Sequence, residues 1–128
     1  MDTAQTHLET NSNLCGTPIE LSEGRAVVEL ETTSVMVVDE RGLVHGGFIF
    51  GLADYAAMLS INHPNVVLGK ATTKYLKPTR VGDVVRAHAE LSREDGKKKI
   101  VEVEVKHGEE LLFEGEFICF VPNTHVLD

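Results

Sequence analysis

At 128 residues the chain has room for one domain with a proper core and little more. Its 42% apolar and 25% charged composition is that of an ordinary soluble globular protein and excludes disordered and fibrous classes. A formal charge of -8 disfavours nucleic acid as the main partner, because affinity for phosphate backbones rests on clustered Lys and Arg, so any anion site must be local.

Residues 1–20 read as an N-terminal extension, mobile or a short helix, ahead of a single domain over 21–128. The opening MDTAQTHLETNSN has neither a basic n-region nor an apolar h-region, so no signal peptide is expected and the protein is expected to be cytoplasmic. GRAVVELE (24–31) and SVMVVD (34–39) read as extended, Val-rich segments. DERGLV leads into LVHGGFIFGLADYAAMLSI (43–61), which approaches membrane-spanning length. Asp54, His45 and three glycines make it a poor transmembrane span and a better buried helix. Pro64 disfavours helical geometry at His63, so the helix should end near Asn62. Four strand-like runs follow: VVLGKATTKYL, DVVRAHAEL, KIVEVEV and LLFEGEFICFV. In the third, Val101, Val103 and Val105 alternate with Glu102, Glu104 and Lys106, giving one face to a core and the other to water. The DG of REDGKKK is a strong hairpin signal, and HGEE is a weaker one. The pattern of strands around one apolar helix predicts an α+β fold in which an antiparallel sheet curls around the helix.

Asp54 is the only Asp, Glu, Lys or Arg between Gly42 and Gly69. Burying an ionised carboxylate without partners costs several kcal/mol, so the residue is either satisfied by a folded neighbour or retained for chemistry. Cys15 and Cys119 lack metal-ligand spacing and read as free thiols without a function. His45, Asp54 and His63 match no metal motif, and no metal is expected.

LVHGGFIFGLADYA resembles the HGG-x6-(D/E) signature at the start of the central helix in hotdog-fold thioesterases of the PaaI type. KYLKPTRVGDVV resembles the segment that follows it in that family, and the likeness covers roughly residues 24–121. The resemblance implies a hotdog fold, a homodimer or dimer of dimers, and hydrolysis of acyl-CoA, with no cofactor beyond the CoA of the substrate. By position, the candidate catalytic residues are Asp54 as general base or nucleophile, the Gly46 amide as polariser of the thioester carbonyl, His45, assigned mainly to shaping the turn, and Asp39. Relatives often carry Asn at the position of Asp39, where an extra carboxylate would repel the nucleophile or add a second base. Thr72 is the candidate for the hydroxyl that assists the attacking water in some relatives.

The spacing constrains such a mechanism. Gly46 and Asp54 lie eight residues apart, about 12 Å along a helix, whereas both must come within about 3 Å of one reacting thioester. Two chains must therefore contribute, and two-fold symmetry gives two equivalent sites. Free N–H groups in a first helical turn suit a developing oxyanion, and Gly46 with Gly47 allows close approach; a tight helix entry is the alternative use of both glycines. Phe50 and Met58 flank Asp54 on the helix and could line an acyl channel, and desolvation should raise the Asp54 pKa.

Residues 55–82 contain no Asp or Glu but include Lys70, Lys74, Lys77 and Arg80, a local basic patch suited to coenzyme A phosphates, with Lys70, Thr72 and Lys74 on one face of a strand. Solvated surface lysines are the alternative. The leading expectation is thus an acyl-CoA thioesterase without nucleic-acid or membrane partners; the runner-up is a non-catalytic acyl-CoA-binding or regulatory protein. A dehydratase would need a His segment that is absent, and no GxSxG supports a nucleophilic Ser triad.

Overall fold

In the computed structural model, which describes residues 1–128, a four-residue helix α1 (Ser12–Cys15) precedes strands β1 (Thr17–Ser22) and β2 (Arg25–Glu31). The long helix α2 (Gly46–Ile61) follows, and then β3 (Val67–Tyr75), β4 (Val84–Asp95), β5 (Lys98–His107) and β6 (Glu110–Phe120). The strands form one antiparallel six-stranded sheet in the order β1-β2-β4-β5-β6-β3, curved around α2. This is the α+β hotdog arrangement. No helix is long and apolar enough to cross a membrane.

The alternation in β5 has the expected result: Val101, Val103 and Val105 are buried against α2, while Glu102 and Glu104 face solvent. Gly96 and Gly108, at φ +63° and +59°, make the two tight turns on either side of β5. Small residues on facing surfaces, Ala87 and Ala89 on β4 and Ala53, Ala56 and Ala57 on α2, belong to the buried core along with the fully buried rings of Phe113 and Phe117. Asn62 ends α2 in the left-handed region (φ 53°), its N–H donating to Met58 O at 2.9 Å, close to the end expected from Pro64.

Three sequence expectations need correction. SVMVVD is not a strand: Ser34–Met36 form a 3-10 turn, Met36 plugs the core, and Val37 makes only an isolated bridge to Val44. The strand missing from that reading is β1, which starts at Thr17, within the stretch assigned to the extension. Its only fully buried side chain is Leu21, and Pro18 with an adjacent bulge interrupts its pairing, so it carries little apolar alternation. The helix also starts at Gly46 rather than Leu43, because Val44 donates its N–H to Thr79 O (2.9 Å) in extended geometry.

The chain's first residues lie against the end of α2. Gln5 N donates to Asn62 Oδ1 (2.7 Å), Asn62 Nδ2 donates to Thr3 O (3.0 Å), and Thr6 is buried.

Candidate active site

At the start of α2, His45 is the N-cap, and its Nδ1 accepts the Gly47 N–H at 2.7 Å. Accepting there leaves the ring proton of the neutral imidazole on Nε2. The ring thus shapes the turn, the role given to it above. The Gly46 N–H makes no hydrogen bond within the chain. A Cβ on Gly46 would lie 2.9 Å from Tyr75 Cε1, and the Tyr75 hydroxyl donates to Gly46 O at 2.8 Å, so the absence of a side chain is what lets the ring settle here. Burial raises the Tyr75 pKa. A recess of about 270 Å³ opens beside the glycine, lined by Ile49, Tyr75, Lys77 and Leu112 among others.

Two turns further along α2, Asp54 presents a buried Oδ1 that has no hydrogen-bond partner. Desolvation pushes its pKa up to about 6. It lines a second cavity, of about 360 Å³, with Met58, Val67 and Leu68, and with Thr6 and His7 from the N-terminal segment and His125 from the C-terminal tail. Thr6 Oγ1 lies 2.8 Å from His7 Nδ1, and burial lowers the His7 pKa. Those polar groups were invisible to sequence reading, since nothing in an aperiodic terminus says which helix it will cover. Both thiols are held in the protonated form: burial first, and the Asp54 charge second, raises Cys15 and pushes Cys119 to about 12. Neither is a nucleophile at neutral pH.

The other residues singled out from sequence divide between two sides of the sheet. Phe50 packs on Phe117 with ring centroids 5.5 Å apart, and Met58 is fully buried beside Asp54. Ala71, Thr73 and Tyr75 pair with Phe117, Gly115 and Phe113 and face α2; Lys70, Thr72 and Lys74 therefore face outward. Thr72 and Lys74 line an outer groove with Glu90, Glu102, Glu104, Glu114 and Glu116, where the Glu102 pKa is raised by burial and then by Glu116. Thr72 is thus on the wrong side of the sheet for the helical carboxylate, and the inward hydroxyl is Thr73. Lys77 is paired with Glu110 at 3.1 Å. Asp39 Oδ1 accepts the N–H groups of Arg41 (2.9 Å) and Leu43 (3.2 Å), closing the loop that precedes α2. Arg80 shares a small recess with Asp39 and Arg41.

Comparison with known proteins bears on this geometry. Residues 41–114 match the model of the thioesterase superfamily. The chain belongs to the thioesterase superfamily. Among curated relatives of this superfamily member, methylthioribose-1-phosphate isomerase from Aquifex aeolicus is 54% identical over 88% of the chain, and transcription factor FapR from Caldanaerobacter subterraneus subsp. tengcongensis is 34% identical over 84%. The chain spans a quarter of the first relative's length and about half of the second's (25% and 54%). Protein PH1136 from Pyrococcus horikoshii is 56% identical with a TM-score of 0.98, covering 99% of this chain and 98% of that one. A mutant of phenylacetic acid degradation protein PaaI from Thermus thermophilus is 28% identical with a TM-score of 0.78, over 85% and 95% of the two chains.

In this thioesterase-superfamily chain the free amide and the unpartnered carboxylate open into cavities that share no lining residue. Eight residues of helix separate them, about 12 Å of rise, so within one copy the two groups cannot both reach one reacting carbonyl.

Proposed function

We propose that the protein is an acyl-CoA thioesterase whose two active sites form between the copies of a homodimer. The observation that carries this reading is the pair of unsatisfied groups on α2: a first-turn N–H at Gly46 able to hold an oxyanion, and a desolvated carboxylate at Asp54 poised to take a proton near neutral pH. In each site Asp54 of one copy removes a proton from water, the oxygen attacks the thioester carbon, and the oxyanion rests on Gly46 N–H of the other copy. Collapse expels the CoA thiolate, which takes up the proton. Direct attack by Asp54, through an anhydride that water then opens, is the other route for the same group. Thr73, on the helix side of β3, is the hydroxyl available to orient the water. The acyl group occupies the cavity of Met58, Val67 and Leu68.

Assembly through β3 agrees with the strand's position. It is an edge strand with one side unpaired and no proline, whereas the opposite edge, β1, is blunted by Pro18. Two copies joined along β3 about a two-fold axis would continue the sheet.

The test is release of thiol from a panel of short, long and aromatic acyl-CoA esters. Wild type should turn over at least one of them well above the Asp54→Ala variant, while the variant still binds the ester. A second reading, a non-catalytic acyl-CoA-binding regulator, is favoured by the likeness to FapR over most of the chain. Equal and negligible thiol release by wild type and variant across the panel, with ester binding retained, would decide for it.

A further inference from the structure

We propose that Arg41 and Arg80 form the subsite for the diphosphate of a nucleotide-bearing thiol carrier. The inference rests on the thioesterase reading for the other end of that ligand and gives the same site its nucleotide contact. The recess beside Gly46 has a neighbour, a second recess of about 210 Å³, and Leu43 and Pro78 line both. Beyond them stand Arg41, Arg80 and Asp39. Residues 42–44 run antiparallel to 79–81: Val44 N donates to Thr79 O (2.9 Å), Val81 N donates to Gly42 O (2.8 Å), and Leu43 bridges to Arg80.

That ladder sets the distance. Leu43 is three extended residues from Gly46, about 10 Å, and Arg80 lies across from it; Arg41 is at most about 17 Å from the glycine. An extended pantetheine arm covers this span, with its sulfur at the Gly46 amide, its apolar carbons over Leu43 and Pro78, and its phosphates at the two guanidinium groups.

Of the 12 Lys and Arg, nine take no part in an ion pair, and of those nine only Arg41 and Arg80 line this recess. Asp39, the nearest carboxylate in the recess, commits Oδ1 to the N–H groups of Arg41 and Leu43. With Gly42 at φ +82° this fixes the turn that carries Arg41 toward Arg80. Two planar guanidinium forks suit a diphosphate, which accepts from both, better than a lone phosphodiester on a carrier protein.

The test compares one acyl group presented as its CoA, 4′-phosphopantetheine and N-acetylcysteamine esters, using wild type and the Arg41→Gln/Arg80→Gln double variant. The variant should raise KM for the CoA ester about tenfold or more with little change in kcat, lowering the ratio of kcat/KM for CoA over cysteamine ester by the same factor. The phosphopantetheine ester should lose less. An unchanged CoA-to-cysteamine ratio overturns the proposal, and an equal loss for the phosphopantetheine ester overturns the diphosphate assignment. If wild type cleaves none of the three, the thioesterase reading fails, and calorimetry with CoA and pantetheine decides the subsite by itself. Wild type should bind CoA at least about tenfold more tightly than pantetheine and the double variant should not; equal wild-type affinities reject the subsite.

Discussion

Holding Asp54 ionised in its apolar setting destabilises the folded chain. Its pKa is about 6 against 3.8 for the unperturbed group, and at 1.36 kcal/mol per unit the difference is about 3 kcal/mol. The folded state holds the proton more tightly than the unfolded one, so this contribution is absent below about pH 4, grows as pH rises to about 6, and is constant above. Asp54→Asn should therefore raise Tm at pH 7 to 8 and have little effect at pH 4; thermal melts that show the same offset at every pH would contradict the assignment. The same proton should govern turnover. For a general base, kcat/KM should rise about tenfold per pH unit below pH 6 and level off above it, while Asp54→Ala shows no such limb. At the other end of α2, Gly46→Ala places a methyl group against the Tyr75 ring. It should cost stability, and adding Tyr75→Ala should cost less in that background than in wild type, a coupling of about 1 kcal/mol or more measurable by denaturant titration. Asp54 was legible in the sequence because it is the single charge in a long apolar run, and Gly46 because a glycine pair opens that run. Arg41 was not, because its partner Arg80 is nearly forty positions away and only the pairing of two loops brings them together.

At the scale of elements, α2 and the β4–β5–β6 meander were legible from length, alternation and turn residues, and the structure follows them. Lys70, Thr72 and Lys74 were correctly placed on one face of β3, and two lysines there against Ala71, Thr73 and Tyr75 on the other mark it as the outer face, which argues against Thr72 as a hydroxyl beside the helical carboxylate. Pairing of the inward set with Phe113, Gly115 and Phe117 on β6 agrees. By contrast, 34–39 has strand composition without a neighbour to pair with, whereas β1 has the neighbour without the composition. The docking of the N-terminal segment depends on Asn62, which combines a left-handed backbone with two side-chain hydrogen bonds to residues 3 and 5. Asn62→Gly keeps the backbone freedom and removes both bonds. Amide exchange around residues 2–7 should accelerate, with a loss of about 1–2 kcal/mol in global stability, and unchanged exchange there would show that other contacts hold the segment.

For the whole molecule, the proposed division of labour between copies makes a quantitative prediction. Gly46→Pro, which removes the N–H at the first helical position, and Asp54→Ala chains should each be inactive alone. Unfolded together in equal amounts and refolded, half of the dimers are mixed, and each mixed dimer holds one site with both wild-type groups, so about a quarter of wild-type activity should return. No recovery would mean that each site is built within one chain.

The two margins of the sheet differ in kind, and that difference bears on how large the assembly can grow. A chain adhesive along both outer strands would add copies without limit and form fibres. Both outer strands carry one irregularity, at Pro18/Glu20 and at Leu68/Lys70, but only the first also carries a proline, which lacks an amide hydrogen and spoils that margin as a template, while the strand from Val67 to Tyr75 has none. Once two copies have met along that open strand, no equivalent margin is left to recruit a third, so growth by edge pairing terminates itself at two.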